Sequence, residues 1–423
     1  MWKLIFKNLL SRRRRLAWLL AEIVIVTIVI WVFIDPIVVQ GYIDSMPLGY
    51  DREKLCMVTT MCNSDDERND TASTEADLRN LLTRIGNLPE VEGCTIVDWS
   101  YPDARGSSMS GFRKDSVWIT VQIMPLISGW NYLTTYGIDA VPGSPSAEEL
   151  QNLTPTQGNI VVTRTVADLY FPGINPVGHY MNENDEDFTP EGSYRIVGVV
   201  EDVRPQSTFS GALLAYNFPE FVPDTEYRIV IRLKDGANMS RFLHDFNERS
   251  DEMQSGVYTC KEIVSYDTVG KEYAYSQGVT NQIRLKTLLS VFFFANLLLG
   301  VAGVFYLQTR KRSEEAGVMR SFGATPGRIR LMLLGEGWIL TTIGCLVGCL
   351  IYLQYAVKEG LARANHVVAY DAYDPSWVNN LPLHFTVVSI VVYVLLVIVV
   401  SLGISIPAWR ISSVNPSDAL RHE

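Results

Sequence analysis

Four segments of this 423-residue chain are too apolar to face water and long enough to cross a bilayer: Leu16–Phe33, Leu288–Gln308, Leu331–Tyr352 and Phe385–Ile406. The first carries one charge, Glu22, and the third carries one, Glu336. The other two carry none. A helix of about 20 residues rises about 30 Å, the thickness of a hydrocarbon core. No water is available there to pair with backbone amides, so each segment must satisfy them internally, as a helix does. A cleaved signal sequence is the alternative for the first segment, because basic residues precede it. Its apolar run is long for a secretory signal, and "IDPIVVQGYIDS" after it offers no small-x-small cleavage site. An uncleaved anchor is the expectation.

Charge placement sets the orientation. The chain has a net charge of −10, yet Lys3, Lys7 and Arg12–Arg15 crowd before the first span. Between the second and third spans, residues 309–330 hold six Lys or Arg against two Glu. Basic short segments stay in the cytoplasm, so both should lie inside, and four crossings return the C-terminus to that side. The expected layout is a cytoplasmic N-terminus (1–15), spans at 16–34, 287–308, 331–355 and 385–407, and a large external domain at 35–286. A cytoplasmic loop (309–330), a short external loop (356–384) and a cytoplasmic tail (408–423) complete it. The acidic balance excludes a nucleic-acid partner, which needs a basic footprint.

The external domain reads as α+β. "DREKLCMVTTMC", "VEGCTIVDWS", "SVWITVQIM", "NIVVT", "YRIVGVV" and "YRIVIRL" have strand character. "STEADLRNLLTRIG" is predicted to be a helix capped by Ser73 or Thr74, with Leu78, Leu81, Leu82 and Ile85 on its inner face. The short helix after "NIVVT" should bury Val166, Leu169 and Phe171, and "NMSRFLHDFNERSDEM" is a second amphipathic helix. "GSSMSG", Gly106–Gly111, reads as a flexible loop. The economical arrangement is one lobe from roughly 50–125 and 225–270, with a second, roughly 126–224, inserted. Residues 262–286 are polar but rich in helix formers, and would extend the second span outward as a stalk or form a plain linker.

Cys345 and Cys349 lie inside the third span as packing residues. Cys56, Cys62, Cys94 and Cys260 are external, where disulfides are permitted. Cys56 and Cys62 cannot pair within one straight strand, whose six-residue reach is about 20 Å. Whether other pairs form is left open.

Catalytic signatures are missing. The one Gly-Lys pair, Gly270-Lys271, is followed by Glu272 and not by the Ser or Thr of a phosphate-binding loop. Five scattered histidines give no metal-ligand spacing, and no Gly-x-Ser-x-Gly elbow occurs. Glu22 and Glu336 lie within spans but near the cytoplasmic ends, where pairing with nearby arginines is the expected role and a proton relay the sharper alternative. Gly344 and Gly348 form a G-x-x-x-G that permits close helix approach.

The 309–330 loop has its own grammar. In "SEEAGVMRSFGATPGRIR", Ala316, Met319 and Phe322 give a short helix an apolar side. Gly323 can adopt the positive φ that ends it. Thr325 can cap a new helix, with Pro326 at its first position. A helix-turn-helix with an apolar tip ringed by charge suits a protein contact or, less well, a membrane surface.

These residues resemble the most recognisable motif of the MacB/FtsX family of ABC-transporter permeases, the four-helix type VII class. Glu315, Gly317, Arg320, Gly323, Ala324, Thr325 and Glu336 occupy motif positions. "PAWRISSVNPSDALRHE" resembles the closing motif, with Pro407, Pro416, Ala419 and Leu420 in place. "VVTRTVADLYFPGINPVGHYM" and "YRIVGVVEDVR" are similar to the MacB-type periplasmic domain, and "RRRRLAWLLAEIVIVTIVIWVFIDP" resembles a Bacteroidetes-type subgroup.

The resemblance implies a non-catalytic inner-membrane subunit whose periplasmic domain has porter and sabre subregions. ATP and Mg would be bound by a separate ABC ATPase subunit, since full macrolide exporters fuse that domain N-terminally. Glu315, Gly317, Met319, Arg320, Phe322, Gly323, Ala324 and Thr325 would form the ATPase-coupling element, with Pro416, Ala419 and Leu420 as a tail contact. A second permease chain, identical or homologous, completes the unit, and a periplasmic adaptor and outer-membrane channel are further candidate partners. The implied function is mechanotransmission: ATP-driven movement expels a periplasmic peptide, antibiotic, toxin or lipoprotein. The alternatives are an FtsX-like regulator of a cell-wall hydrolase and a ligand-binding sensor.

Overall fold

The computed structural model describes residues 13–62, 71–114, 117–156, 158–182, 193–209, 211, 213–222, 226–307, 309–361 and 376–413. In chain order the main elements are α1 (Arg13–Ser45), β1 (Leu55–Cys62), α2 (Thr71–Gly86), β2 (Val91–Val97), β3 (Ser108–Lys114) and β4 (Val117–Pro125). There follow α3 (Tyr132–Tyr136), α4 (Ala147–Gln151), β5 (Asn159–Thr163), α5 (Arg164–Tyr170), β6 (Tyr180–Asn182), β7 (Ser193–Val200), β8 (Leu214–Asn217) and β9 (Arg228–Leu233). The last are α6 (Met239–Glu248), β10 (Gln254–Ser255), β11 (Tyr258–Ser265), α7 (Tyr266–Ser276), α8 (Val279–Leu307), α9 (Thr309–Ser321), α10 (Pro326–Glu359) and α11 (Leu381–Ser412). Two compact units result, one of the described residues within 42–280 and one of the remaining described residues.

In the first unit, strand alternation distributes side chains among three cores. A five-stranded sheet has the order β10-β11-β1-β9-β2, and a six-stranded sheet the order β3-β4-β8-β5-β7-β6. Along β1, Cys56 and Val58 face a core shared with Leu78, Leu81 and Ile85 of α2 and Phe242 and Phe246 of α6. Leu55 and Met57 point the other way, into a core shared with Val161 of β5 and Leu214 and Tyr216 of β8. Ile160, Val162 and Ala215 then face a third core with Val166 of α5. Period-2 side-chain direction thus turns both faces of each sheet into buried surface. The middle core is rich in tyrosine: the Tyr136 and Tyr266 hydroxyls meet at 2.9 Å, and Tyr266 donates to the Pro102 carbonyl at 2.8 Å.

Several expectations need correcting. β3 and β4 belong to the inserted sheet, so the boundary lies before Ser108 and not near 125; the two sheets also share the middle core. The Gly106–Gly111 stretch is largely strand, because β4 supplies partners from Ser108↔Ile123 to Lys114↔Val117 and Phe112 is fully buried. Helix α2 starts at Thr71, placing Ser73 and Thr74 inside its first turn instead of at the cap. Leu169 and Phe171 are half-buried, beside a buried Val166.

The 262–286 segment is no continuous stalk: β11 runs to Ser265, α7 ends at Ser276, and Gly278, with φ +76°, breaks the helix before α8 begins. Helix α1 is longer than a span requires: its 33 residues amount to about 50 Å. Its end is held within the first unit by Arg204, whose Nη1 donates to the Ile43 and Met46 carbonyls at 2.9 and 3.0 Å. Cys56, Cys94 and Cys260 are free thiols. Burial pushes the Cys94 thiol up to about 11 and Cys260 up to about 12.

The second unit is helical. Helices α1, α8, α10 and α11 are long and apolar enough to cross a membrane. On α11, Val388, Val392, Leu396, Val400 and Ile404 recur every fourth residue as one buried stripe. They pack in one core with Leu19, Ile23 and Trp31 of α1 and with Leu297 and Val301 of α8.

Candidate functional site

Helix α9 ends in a Schellman turn. The Ala324 amide donates to the Met319 carbonyl at 3.0 Å and the Gly323 amide to the Arg320 carbonyl at 2.9 Å. That closure needs a left-handed residue, and Gly323 has φ +87°. Thr325 then caps α10: its hydroxyl accepts from the Arg328 amide at 3.4 Å, and Pro326 takes the first helical position, where no amide is needed. The loop is a helix-turn-helix in which each turn residue has a local physical reason.

Its side chains divide between inside and outside. Ala316 and Gly317 are buried, and Ala316 joins the core that holds Ile329 and Leu333 of α10 and Ala408 and Ile411 of α11. Met319, Glu315, Arg320 and Ala324 are half-buried, and Thr325 is exposed. Phe322 is 87% exposed, next to the exposed Val318 one turn back. Ala316 and Phe322 therefore do not form the single apolar side expected of them. One anchors the loop and the other projects from its tip.

Two polar contacts brace the base. Arg312 Nη1 donates to Glu336 Oε2 at 2.7 Å, with both side chains 3% exposed, tying α9 to α10. The Arg312 guanidinium also lies over the Phe305 ring of α8, 5.0 Å from its centroid. Arg330 Nε donates to Ser412 Oγ at 2.8 Å, tying α10 to the end of α11. Pairing was the expected role for Glu336. Arg312 as its partner was not foreseen, because it is one of six basic residues in the loop and nothing local marks it out.

Gly344 and Gly348 sit where α10 meets α1. A Cβ on Gly344 would lie 2.6 Å from Ile23 Cγ2, and one on Gly348 2.7 Å from Thr27 Cβ. This G-x-x-x-G face is thus filled by the same chain. Gly300 is a similar case, since a Cβ there would meet Glu22 Oε1 at 2.3 Å. Pro416, Ala419 and Leu420 lie outside the described residues, whereas Pro407 is buried within α11.

A family model described as "MacB-like periplasmic core domain" matches residues 25–248, more than half of the chain. Another, "FtsX-like permease C-terminal", matches residues 287–416. The chain belongs to this family of FtsX-like permeases with a MacB-like periplasmic core domain. Among curated proteins it is 25% identical over 351 residues to the macrolide export ATP-binding/permease protein MacB of Campylobacter fetus subsp. fetus, covering 78% of this chain and 47% of that one. It is also 25% identical over 205 residues to the ABC transporter permease YtrF of Bacillus subtilis, covering 44% and 46%. YknZ of Bacillus subtilis, an uncharacterized ABC transporter permease, is 25% identical over 276 residues, covering 62% and 61%. The chain therefore spans about half the length of the first of these relatives.

Among solved structures, the periplasmic region of MacB from Actinobacillus actinomycetemcomitans aligns at TM-score 0.30 and 15% identity, over 53% of this chain and 94% of that one. The extracellular domain of YknZ aligns at TM-score 0.28 and 12% identity, over 49% and 100%. No functional statement follows from likeness of this order.

Proposed function

We propose that the chain is the permease of an ABC transporter and that an ATPase, carried on another polypeptide, docks on the α9–α10 turn. The observation that carries this is Phe322, 87% exposed at the tip of a turn whose base is fixed by the buried Arg312–Glu336 pair. An exposed aromatic on a rigid support is the anchor a protein partner uses, and it loses little conformational freedom on docking. The basic loop and basic N-terminus support a cytoplasmic location for the turn and both termini. In this reading the loop receives ATP-driven motion, α1 and α8 carry it outward, and the external domain uses it to expel a periplasmic substrate. A second permease chain pairs along helix faces other than the Gly344–Gly348 face, which α1 already fills.

The test is co-purification of this chain with a co-expressed candidate ABC ATPase. Phe322→Asp is expected to abolish association while membrane insertion and the external domain remain intact. Undiminished association of that variant would remove the docking role.

A further inference from the structure

Helix α8 turns an amide side chain out of the helical bundle within its apolar run. Asn296 lies about 12 Å from the nearer end of the stretch Leu288–Leu307. Its side chain is exposed, although Leu297 and Val301 beside it are buried in the helical core. Nδ2 donates one hydrogen to the Phe292 carbonyl of the same helix at 2.8 Å. The second amide hydrogen and Oδ1 have no partner among the described residues. At this depth no water serves them either. The surroundings of Asn296 are patterned. Leu285, Leu289, Phe292, Asn296 and Leu299 are spaced by four, three, four and three residues. Leu285, Phe292 and Leu299 are 59%, 60% and 68% exposed, and Leu289 is half-buried. This is the alternation of d and a positions in a left-handed coiled coil, with Asn296 at an a position. Helix α8 is also the span with the least buried apolar stretch, 22% against 33% to 39% in the other three.

We propose that this row is the seam along which α8 pairs with α8 of a second copy of the chain, the two Asn296 carboxamides bonding to each other. The inference rests on the reading of the chain as a permease that works in pairs, and it assigns the face and the residue that close the pair. The occupant follows from the chemistry. A carboxamide presents both a donor and an acceptor, so its complement is another carboxamide in the opposite sense, which a two-fold axis supplies. Two copies inserted in the same direction have parallel α8 helices. In that orientation a single Asn at an a position fixes the register and the two-stranded state. A lipid acyl chain offers neither donor nor acceptor. Leucine side chains alone distinguish poorly between a partner helix and lipid, so the amide pair supplies the preference.

The experiment is disulfide capture in membranes holding the full chain expressed without an ATPase, so its outcome is separate from docking at Phe322. Leu299→Cys keeps Asn296 and places a thiol one turn away, where a symmetric seam brings the same residue of both copies together. Mild oxidation should link Leu299→Cys into covalent dimers and leave Leu346→Cys, exposed on α10, at the wild-type level. Capture at Leu346→Cys equal to that at Leu299→Cys, or capture at neither, overturns the seam. The amide is tested separately. Asn296→Leu should raise the dissociation constant of fluorescently labelled copies in lipid bilayers by about threefold to thirtyfold, and Asn296→Gln, which keeps an amide, by less. Undiminished pairing of Asn296→Leu overturns the role of the carboxamide. Should that variant fail to fold, capture at Leu299→Cys still decides where the copies meet.

Discussion

The buried pair between Arg312 and Glu336 offers the sharpest test of how the α9–α10 turn is held. Both side chains are 3% exposed and joined at 2.7 Å, so neither charge has water to fall back on. Removing one partner of such a pair strands the other, at a cost of about 3–5 kcal/mol, against about 0–1 kcal/mol for an exposed pair. Helix α9 has 13 residues, a length at which an isolated helix is marginal, so its order depends on this pair and on Ala316 in the core. Glu336→Ala should therefore loosen α9 selectively. Hydrogen exchange of 309–321 in the full chain should accelerate by about two to three powers of ten, since about 1.4 kcal/mol is tenfold. Arg312→Met combined with Glu336→Leu removes both charges and retains bulk, and should bring exchange back close to wild type. An acceleration below about fivefold in Glu336→Ala, about 1 kcal/mol, would mean that the pair is hydrated or dispensable, and the rigid-base argument would fail.

Two other perturbations probe packing and burial. Gly348→Leu drives a side chain into Thr27, whereas Gly303→Leu meets open space; thermal unfolding in detergent should drop by about 1–3 kcal/mol for the former and hardly at all for the latter. Equal effects would show that α1 does not rest on α10 there. Asp103 is 3% exposed, and burial raises its carboxyl above the ordinary range although the Ser207 amide donates to it at 2.7 Å. The folded chain thus holds this proton at pH values where the unfolded chain has released it, and this group's contribution to stability falls as pH rises from the ordinary Asp value, about 3.9, through the raised one. Asp103→Asn keeps the acceptor for Ser207 and tolerates the positive φ of 64°. It should be more stable than wild type at neutral pH and lose that advantage in acid, as read by thermal unfolding across pH. A variant less stable at neutral pH would contradict the assignment.

What could be read in the chain before its structure was known follows the range of the interactions involved. The spans declare themselves because about 20 consecutive apolar residues admit few other fates. The α9–α10 turn was legible because Gly323, Thr325 and Pro326 each act on backbone atoms within five residues. The cores of the first unit were legible strand by strand but not sheet by sheet: alternation says that Leu55 and Cys56 face opposite ways, and is silent on which strand lies alongside. That is why β4 was placed in the wrong lobe, and why a run of Gly and Ser read as loop until the partner strand β4 accounted for its backbone.

The same limit hid the most consequential polar contacts. Asp35 and His384 are 349 positions apart, and neither is unusual in its own neighbourhood: an Asp ending an apolar run and a His beginning one look like residues at a membrane boundary. Only helix packing converts two such residues into one buried pair. Glu336 was conspicuous because it interrupts an apolar span, whereas its partner Arg312 was concealed among five other basic residues in the same loop. In a chain of this kind, a buried acid indicates that a partner exists, and the fold alone identifies it. Arg312, 3% exposed, is thus removed from the loop's exposed charge, whereas Phe322 is 87% exposed.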